Sequence, residues 1–313
     1  MDGRSNVALV FPGQGSQELN MAEVWASHDT GLAVLTEASV ALGTDIVSGC
    51  QDEQLLKSTE FVQPALLACE VAAFRVFDRE VDVAFGATAG HSLGQFASLV
   101  AAEVITYSEA LDVVKVRGQA MQKAGIEFPG TMMALLLRVD EKSAQQLCED
   151  AAEGEELVVA NLNCPGQIVI SGTAAGIDRA AALSPSRGIR GRRLQVAGAF
   201  HSELMRSAVG PINDMLRDIE FREPLFPIAD NVTGEMTTDP EILRSNLESH
   251  VVSAVRWDES IRALGRAGMK TYLEIGPGKV LSGLINKIAR TEESMIDIRC
   301  ITVNSPDLVQ NIF

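Results

Sequence analysis

Cysteine is scarce in this chain and has no pattern. Five residues are spread over 313 positions, Cys50, Cys69, Cys148, Cys164 and Cys300, with no C-x-x-C among them. An odd, scattered set is neither a disulfide frame nor a zinc site, and it points to reduced thiols in a cytosolic protein. Each reads as a small core or surface residue. No H-E-x-x-H and no cluster of His, Cys and Asp suggests a metal. Long apolar runs are missing too. Met132–Leu137 is a typical one, far short of the ~18 residues a membrane helix needs. Residues 1–6 lack the basic-then-apolar layout of a signal peptide and lead directly into a strand pattern. Basic residues are outnumbered: 26 Lys and Arg against 42 Asp and Glu leave a net charge of −16. So acidic a chain is a poor general nucleic-acid binder, because attraction to phosphate dominates that affinity. The familiar phosphate loops also fail. Gly13-Gln14-Gly15 meets Glu18 where a third glycine belongs, and Gly278-Lys279 is followed by Val280 instead of Ser or Thr.

What is present is an ordinary globular composition, 46% apolar and 22% charged, which excludes a disordered chain. At about 150 residues per domain, the length fits two domains or one large domain with an insertion. Val7–Phe11 predicts a buried strand closed by Pro12-Gly13 and a sharp loop over 13–17. Pro64 predicts the first position of a buried helix over Pro64–Arg75. Val81–Phe85 predicts a second strand, 86–94 a Gly-rich turn, and Gln95–Val104 the helix that leaves it. Thr106 and Glu109 form a capping box that opens a helix over Ala110–Lys123.

A strand over Thr131–Val139, a helix over Glu141–Ala152, strands over Leu157–Asn161 and Gln167–Ser171, a helix over Ala174–Leu183 and a strand over Arg193–Val196 follow. That β-α-β-β-α-β order is the split pattern of a ferredoxin-like unit, inserted at residues 128–198. The flanking parts, 1–127 and 199–313, alternate strands and helices and predict a largely parallel sheet with helices on both faces. Their later elements are helices from Ser202 to Asp218, Pro240 to Val251 and Trp257 to Ala267, a strand-and-turn region over Pro227–Glu235, and a core strand over Tyr272–Ile275 with a helix after Gly278.

The strongest local signal is Gly90-His91-Ser92-Leu93-Gly94, a G-x-S-x-G between a strand and a helix. The glycines let the chain turn tightly, and the turn lifts the Ser92 hydroxyl out of the sheet edge. The helix start then offers free N–H groups to an oxyanion, and the Leu93 N–H is the natural donor. A serine hydroxyl needs a base. Among four histidines, His28 sits in a polar surface stretch, and His91 adjoins the serine and shapes the pocket. His201, in the break Gly198–Ser202, outranks His250 as base, because such loops at the carboxyl edge of a sheet carry working residues. Arg117 falls on the apolar stripe of its helix with Ala110, Val113, Val114 and Met121. A guanidinium there needs an anion, either an internal acid or a carboxylate ligand held bidentately. Arg187, Arg190, Arg192 and Arg193 form one basic patch in this acidic chain, either a solvated turn or a docking site for an acidic partner or a phosphate-bearing cofactor.

These motifs have a collective order. Phe11–Gln17, Gln63-Pro64-Ala65, Gly90–Gly94, Arg117, Asn161–Gln167, Gly198–Ser202 and Glu274–Gly278 together resemble the malonyl-CoA:acyl carrier protein transacylases, over about residues 7–303. The resemblance implies an α/β-hydrolase-like large domain with a parallel sheet and an inserted ferredoxin-like subdomain. It implies Ser92 as nucleophile, His201 as general base and acid, and the Gln14 and Leu93 backbone N–H groups as the oxyanion hole. Arg117 resembles the clamp for the malonyl carboxylate. His91, Phe200, Gln63 and Asn163 resemble substrate-pocket residues, and the His250 carbonyl resembles the group that orients the base. Four positions, at three places, depart from the common pattern: His250 for Gln, Gln95 for Glu, and Ser253-Ala254 for Asn-Pro. Phe200 and Leu93 are the malonyl-type choices, although one methyl group is worth only about 1–3 kcal/mol. The implied partners are malonyl-CoA as substrate and an acyl carrier protein, with no permanently bound cofactor, nucleic acid or membrane. A discrete acyltransferase of a polyketide pathway, an acyl-thioester hydrolase and a non-catalytic carrier-binding protein are the alternatives.

Overall fold

The computed structural model describes residues 5–309. Residues 1–4, which carry most of the leader reading and the start of the expected large domain, and residues 310–313 at its end lie outside the described residues. The strands in chain order are β1 (Val7–Phe11), β2 (Ala87–Gly90), β3 (Thr131–Leu137), β4 (Leu157–Cys164), β5 (Gln167–Gly172), β6 (Ile189–Arg193), β7 (Ile228–Ala229), β8 (Met236–Thr237), β9 (Thr271–Ile275) and β10 (Arg299–Val303). The helices are α1 (Glu23–Ala26), α2 (Asp29–Leu42), α3 (Ile46–Gly49), α4 (Thr59–Glu80), α5 (Gly94–Ala101), α6 (Tyr107–Glu127), α7 (Glu141–Ala152), α8 (Ala174–Leu183), α9 (Arg206–Arg217), α10 (Pro240–Ser249), α11 (Trp257–Arg266), α12 (Val280–Ala289) and α13 (Pro306–Val309).

β1 is apolar at every position because both its faces are covered, as a central parallel strand requires. Val7, Leu9 and Phe11 face the large core that α4, α5 and α6 complete, while Ala8 and Val10 face the core under α11 and α12. The sheet order is β10-β9-β1-β2-β7-β8, parallel except for the β7–β8 hairpin at its edge. The second sheet, β4-β5-β3-β6, is antiparallel throughout, and all its strands lie between Thr131 and Arg193. Helices α7 and α8 close its outer face over a separate core containing Leu135, Leu147, Ile170 and Ile177. No helix among the described residues is long and apolar enough to cross a membrane.

The capping box forms as expected: Thr106 Oγ1 accepts from the Glu109 N–H, and the Glu109 carboxylate accepts from the Thr106 N–H. Several expected boundaries shift for physical reasons. The second strand is Ala87–Gly90, not Val81–Phe85. Residues 81–85 alternate half-buried and exposed as a strand would. Phe85 spends its ring against Phe74, Phe77 and Phe226, and the segment runs before the ladder with β1 begins at Ala8 and Ala87. In the true strand, Ala-Thr-Ala-Gly, Thr88 and Gly90 face α5, where Thr88 Oγ1 meets Ser98 Oγ and Gly90 closes on Gly94, while Ala87 and Ala89 face the core of Trp257 and Ile261. Pro64 is inside α4, one turn past its start at Thr59, so the missing N–H costs a single bond near the helix end. The expected strand Arg193–Val196 is displaced to Ile189–Arg193, anchored by buried Ile189 opposite Leu137. The arginine patch therefore occupies mainly an edge strand, not a turn. Strand β4 runs on from Asn161 to Cys164, which leaves Pro165-Gly166 as the turn.

Candidate active site

Two glycines fix the turn that carries Ser92. A side chain at Gly90 would reach within 2.0 Å of the Gly94 carbonyl, and one at Gly94 within 2.2 Å of the Phe11 carbonyl. With both positions bare, α5 packs against the ends of β1 and β2, and Ser92 takes the left-handed conformation at φ 51°. Such a backbone costs about 1–3 kcal/mol for a non-glycine residue and persists only where neighbours hold it. Among the described residues, the peptide N–H groups of Gln14 and Leu93 meet no acceptor within the protein. Gln14 follows the end of β1 and lines the same cavity as Ser92, and Leu93 stands at the start of α5.

His201 reaches the turn from the far end of the chain. Its Nε2 lies 2.8 Å from Ser92 Oγ. Its Nδ1 lies 3.1 Å from the His250 carbonyl and 3.0 Å from that of Ser253. Two carbonyl acceptors require the proton on Nδ1, so the Nε2 lone pair faces the hydroxyl. His201 is itself held at φ 59°, and its N–H donates to the Val251 carbonyl at 3.1 Å. Burial pushes its pKa down to about 3, the Arg117 charge adds to that, and the two carbonyls oppose it. The ring is therefore neutral and able to take a proton at physiological pH.

For Arg117 the sequence leaves either an internal acid or a ligand, and no internal acid among the described residues is its partner. The residue is 1% exposed. Its Nη1 donates to Gln63 Oε1 at 2.6 Å and its Nη2 to Ser92 Oγ at 3.3 Å, while its Nε has no partner. Burial lowers its pKa to about 10. Gln63 is fixed in turn: its Nε2 donates to Gln14 Oε1 at 3.3 Å and to Met121 Sδ at 3.4 Å.

Gln14, Gln63, His91, Ser92, Arg117, Asn163, Phe200 and His201 line one cavity of about 230 Å³ between the two sheets. His91 turns its Nε2 to Asn163 Oδ1 at 2.8 Å and sets its ring edge-on to Trp257, so it frames the pocket and does not face the serine proton. Burial lowers its pKa and that of His250, whose ring is wholly buried. His250 contributes its carbonyl here; its imidazole points elsewhere. His28 caps α2 at the surface, with its ring nitrogen accepting from the Thr30 N–H. The basic patch divides. Arg187 pairs with Asp150 and Arg193 with Asp178, whereas Arg190 and Arg192 make no ion pair among the described residues. Positions 190, 192 and 194 alternate onto one face of the strand line, and Leu194 lines the cavity. No cluster of three or more potential metal-ligating side chains occurs among the described residues.

Two contacts escaped the sequence reading. The Ser253 carbonyl shares the orientation of His201, and Asn231 accepts from the Ser92 N–H at 2.7 Å. Asn231 stands just beyond the carboxyl end of β7, where parallel sheets place functional groups, and that rule alone could have flagged it.

A family model described as "Acyl transferase domain" matches residues 8–311. The malonyl CoA-acyl carrier protein transacylase of Bacillus subtilis (strain 168) is 37% identical over 311 residues, covering 98% of this chain and 96% of its own. The crystal structure of malonyl-CoA:acyl carrier protein transacylase from Xanthomonas oryzae pv. oryzae superimposes with a TM-score of 0.90 at 35% identity, covering 97% of this chain and 96% of that one. A malonyl-transacylase solved in complex with its type II PKS acyl-carrier protein gives a TM-score of 0.91 at 35% identity, covering 97% and 98%.

Proposed function

Because the chain belongs to the acyl transferase domain family, we propose that it moves a malonyl group from malonyl-CoA to the phosphopantetheine thiol of an acyl carrier protein, as an acyl-carrier-protein S-malonyltransferase of fatty-acid synthesis. One observation carries the reading. A serine hydroxyl lies 2.8 Å from a neutral histidine and 3.3 Å from a buried guanidinium that no acid among the described residues answers. Ser92 attacks the thioester carbonyl as His201 takes its proton. The Gln14 and Leu93 N–H groups hold the tetrahedral oxyanion, an effect worth about 3–4 kcal/mol per donor. The intermediate collapses to malonyl-Ser92, and CoA leaves as the thiol with the proton from His201. The carrier thiol then gives its proton to His201 and attacks the ester carbonyl; the bond from that carbonyl to Ser92 Oγ breaks, His201 returns the proton to Oγ, and the carrier departs as the malonyl thioester.

Arg117, steadied by Gln63, clamps the malonyl carboxylate throughout and selects dicarboxylic acyl groups. His91, Asn163 and Phe200 shape the pocket, and the His250 carbonyl orients the base. Arg190 and Arg192 form the carrier or CoA docking patch, while Arg187 and Arg193 are engaged with their own acids. The division into 1–127 with 199–313 and 128–198 is part of the same proposal. No resident cofactor is proposed, and a cytoplasmic location is supported by five unpaired thiols.

The likeness to the solved carrier complex supports a polyketide carrier as the second reading, with unchanged chemistry. Turnover compared on carriers of the two pathways separates them. The central test is intact mass spectrometry after mixing with malonyl-CoA. Wild type gains one malonyl group, and Ser92→Ala gains none. A malonyl adduct that persists in Ser92→Ala refutes the nucleophile assignment. Free malonate as the main product, with the carrier present, favours the hydrolase instead.

A further inference from the structure

Ser92 is backbone-strained, and something must hold it. The side chain that does so is Asn231, fully buried and outside the cavity. Its Oδ1 accepts from the Ser92 N–H at 2.7 Å. Its Nδ2 donates to the Gly90 carbonyl at 2.5 Å and to Gln95 Oε1 at 3.0 Å. The carboxamide thus touches the strand before the nucleophile, the nucleophile itself, and the helix after it. A second tie runs to the base. His250 Nε2 lies 3.4 Å from the same Oδ1, while its Nδ1 has no partner, so the proton belongs on Nε2 and is donated to Asn231. The His250 carbonyl is one of the two that receive the His201 Nδ1–H. Asn231 is held in its turn, because its own carbonyl accepts from the Arg256 N–H at 2.8 Å.

We propose that Asn231 is a positioning residue that locks the nucleophile turn and couples it to the segment orienting the base. The proposal rests on Ser92 being the nucleophile. The amide is matched to its site: one oxygen for two donors, and one NH₂ for two acceptors. Aspartate would turn an oxygen towards the Gly90 carbonyl and Gln95 Oε1. Alanine would leave the Ser92 N–H and the Gly90 carbonyl buried without partners, and the turn free to relax. Relaxation by a fraction of an ångström displaces Oγ from both His201 and the thioester carbon, while the cavity wall and Arg117 stay in place. The acylation rate should therefore fall without a matching loss of substrate affinity.

The test measures Ser92 acylation by malonyl-CoA with rapid-quench intact mass, giving a maximal rate, a KM and the final acylated fraction. For Asn231→Ala the expected result is a maximal rate lower by about ten- to hundredfold, KM within about twofold, and complete final labelling of Ser92. Asn231→Asp, which keeps the volume and the oxygen facing the Ser92 N–H, should fold and show the same split if alanine does not fold. A native rate in either folded variant overturns the proposal. So does a loss fully explained by a smaller acylated fraction, since that would be a folding defect alone. Label mapped away from Ser92 in the unaltered enzyme overturns the acyl-serine reading instead, a separate outcome.

Discussion

Replacing Arg117 with alanine tests the most unusual feature of the site. The guanidinium is charged and buried, with two of its five N–H donors engaged, by Gln63 and Ser92, and no counter-ion among the described residues. Burial takes its pKa down to about 10, which corresponds to about 3 kcal/mol of lost hydration at ~1.4 kcal/mol per pH unit. A ligand carboxylate that supplies two charge-assisted hydrogen bonds recovers energy of that order. Acetyl, with no carboxylate, recovers none. Arg117→Ala should therefore lower the malonyl-to-acetyl ratio of kcat/KM by about a hundredfold, the equivalent of about 3 kcal/mol. The readout is competitive labelling of Ser92 by mixed malonyl-CoA and acetyl-CoA. Arg117→Lys keeps the charge but not the planar fork and should fall between the two.

A second signature accompanies the first. The Arg117 charge, after burial, holds the His201 pKa down. His201 must be neutral to accept the serine proton, so activity is lost as pH falls through its pKa. Without the guanidinium that pKa rises, and the acid limb of acetyl transfer should move to higher pH. A malonyl-to-acetyl ratio within about twofold of wild type in Arg117→Ala would refute the clamp.

Two other predictions concern groups away from the reacting atoms. Glu70, in the middle of α4, is fully buried with neither carboxylate oxygen hydrogen-bonded, and burial raises its pKa well above 4.5. The native state then keeps a proton that the unfolded chain releases near 4.5, so this group's contribution is fully present below that pH and is lost as pH rises, by about 1.4 kcal/mol per unit until the native pKa is reached. Glu70→Gln removes the dependence, and its advantage in Tm over wild type should be larger at pH 8 than at pH 5; equal differences would show that Glu70 is ionised in place. Reversing Arg190 and Arg192 together to glutamate should raise KM for the carrier protein at least tenfold and flatten its salt dependence, with acylation of Ser92 by malonyl-CoA changed less. An unaltered carrier KM would remove the docking role.

How much could be read without coordinates differs from element to element. Helix α7 keeps the expected bounds, Glu141–Ala152, because its apolar positions, Ala144, Leu147, Cys148 and Ala151, repeat on one face; the structure adds the Asp140 cap. Helix α8 was placed as well, between the Thr173 cap and Leu183. The nucleophile turn and the split β-α-β-β-α-β order were legible for the same reason: each is a local rule about spacing and glycine. The strand before the turn was not. Val81–Phe85 has the better strand composition, yet Ala87–Gly90 is the one that pairs with β1 and fits beneath α5.

Periodicity, caps and close-approach glycines act over a few residues, so the chain alone determined the mixed architecture, the position of the serine and the oddity of an arginine on an apolar stripe. It could not determine what that arginine faces. Whether Arg117 meets an acid or an open cavity, whether His201 or His250 turns its ring to Ser92, and that Asn231 grips the serine's own N–H depend on segments 25 to 139 positions apart meeting at one sheet edge. Hydrogen bonds and burial at such separations are set by packing of the whole core, and no local pattern encodes them.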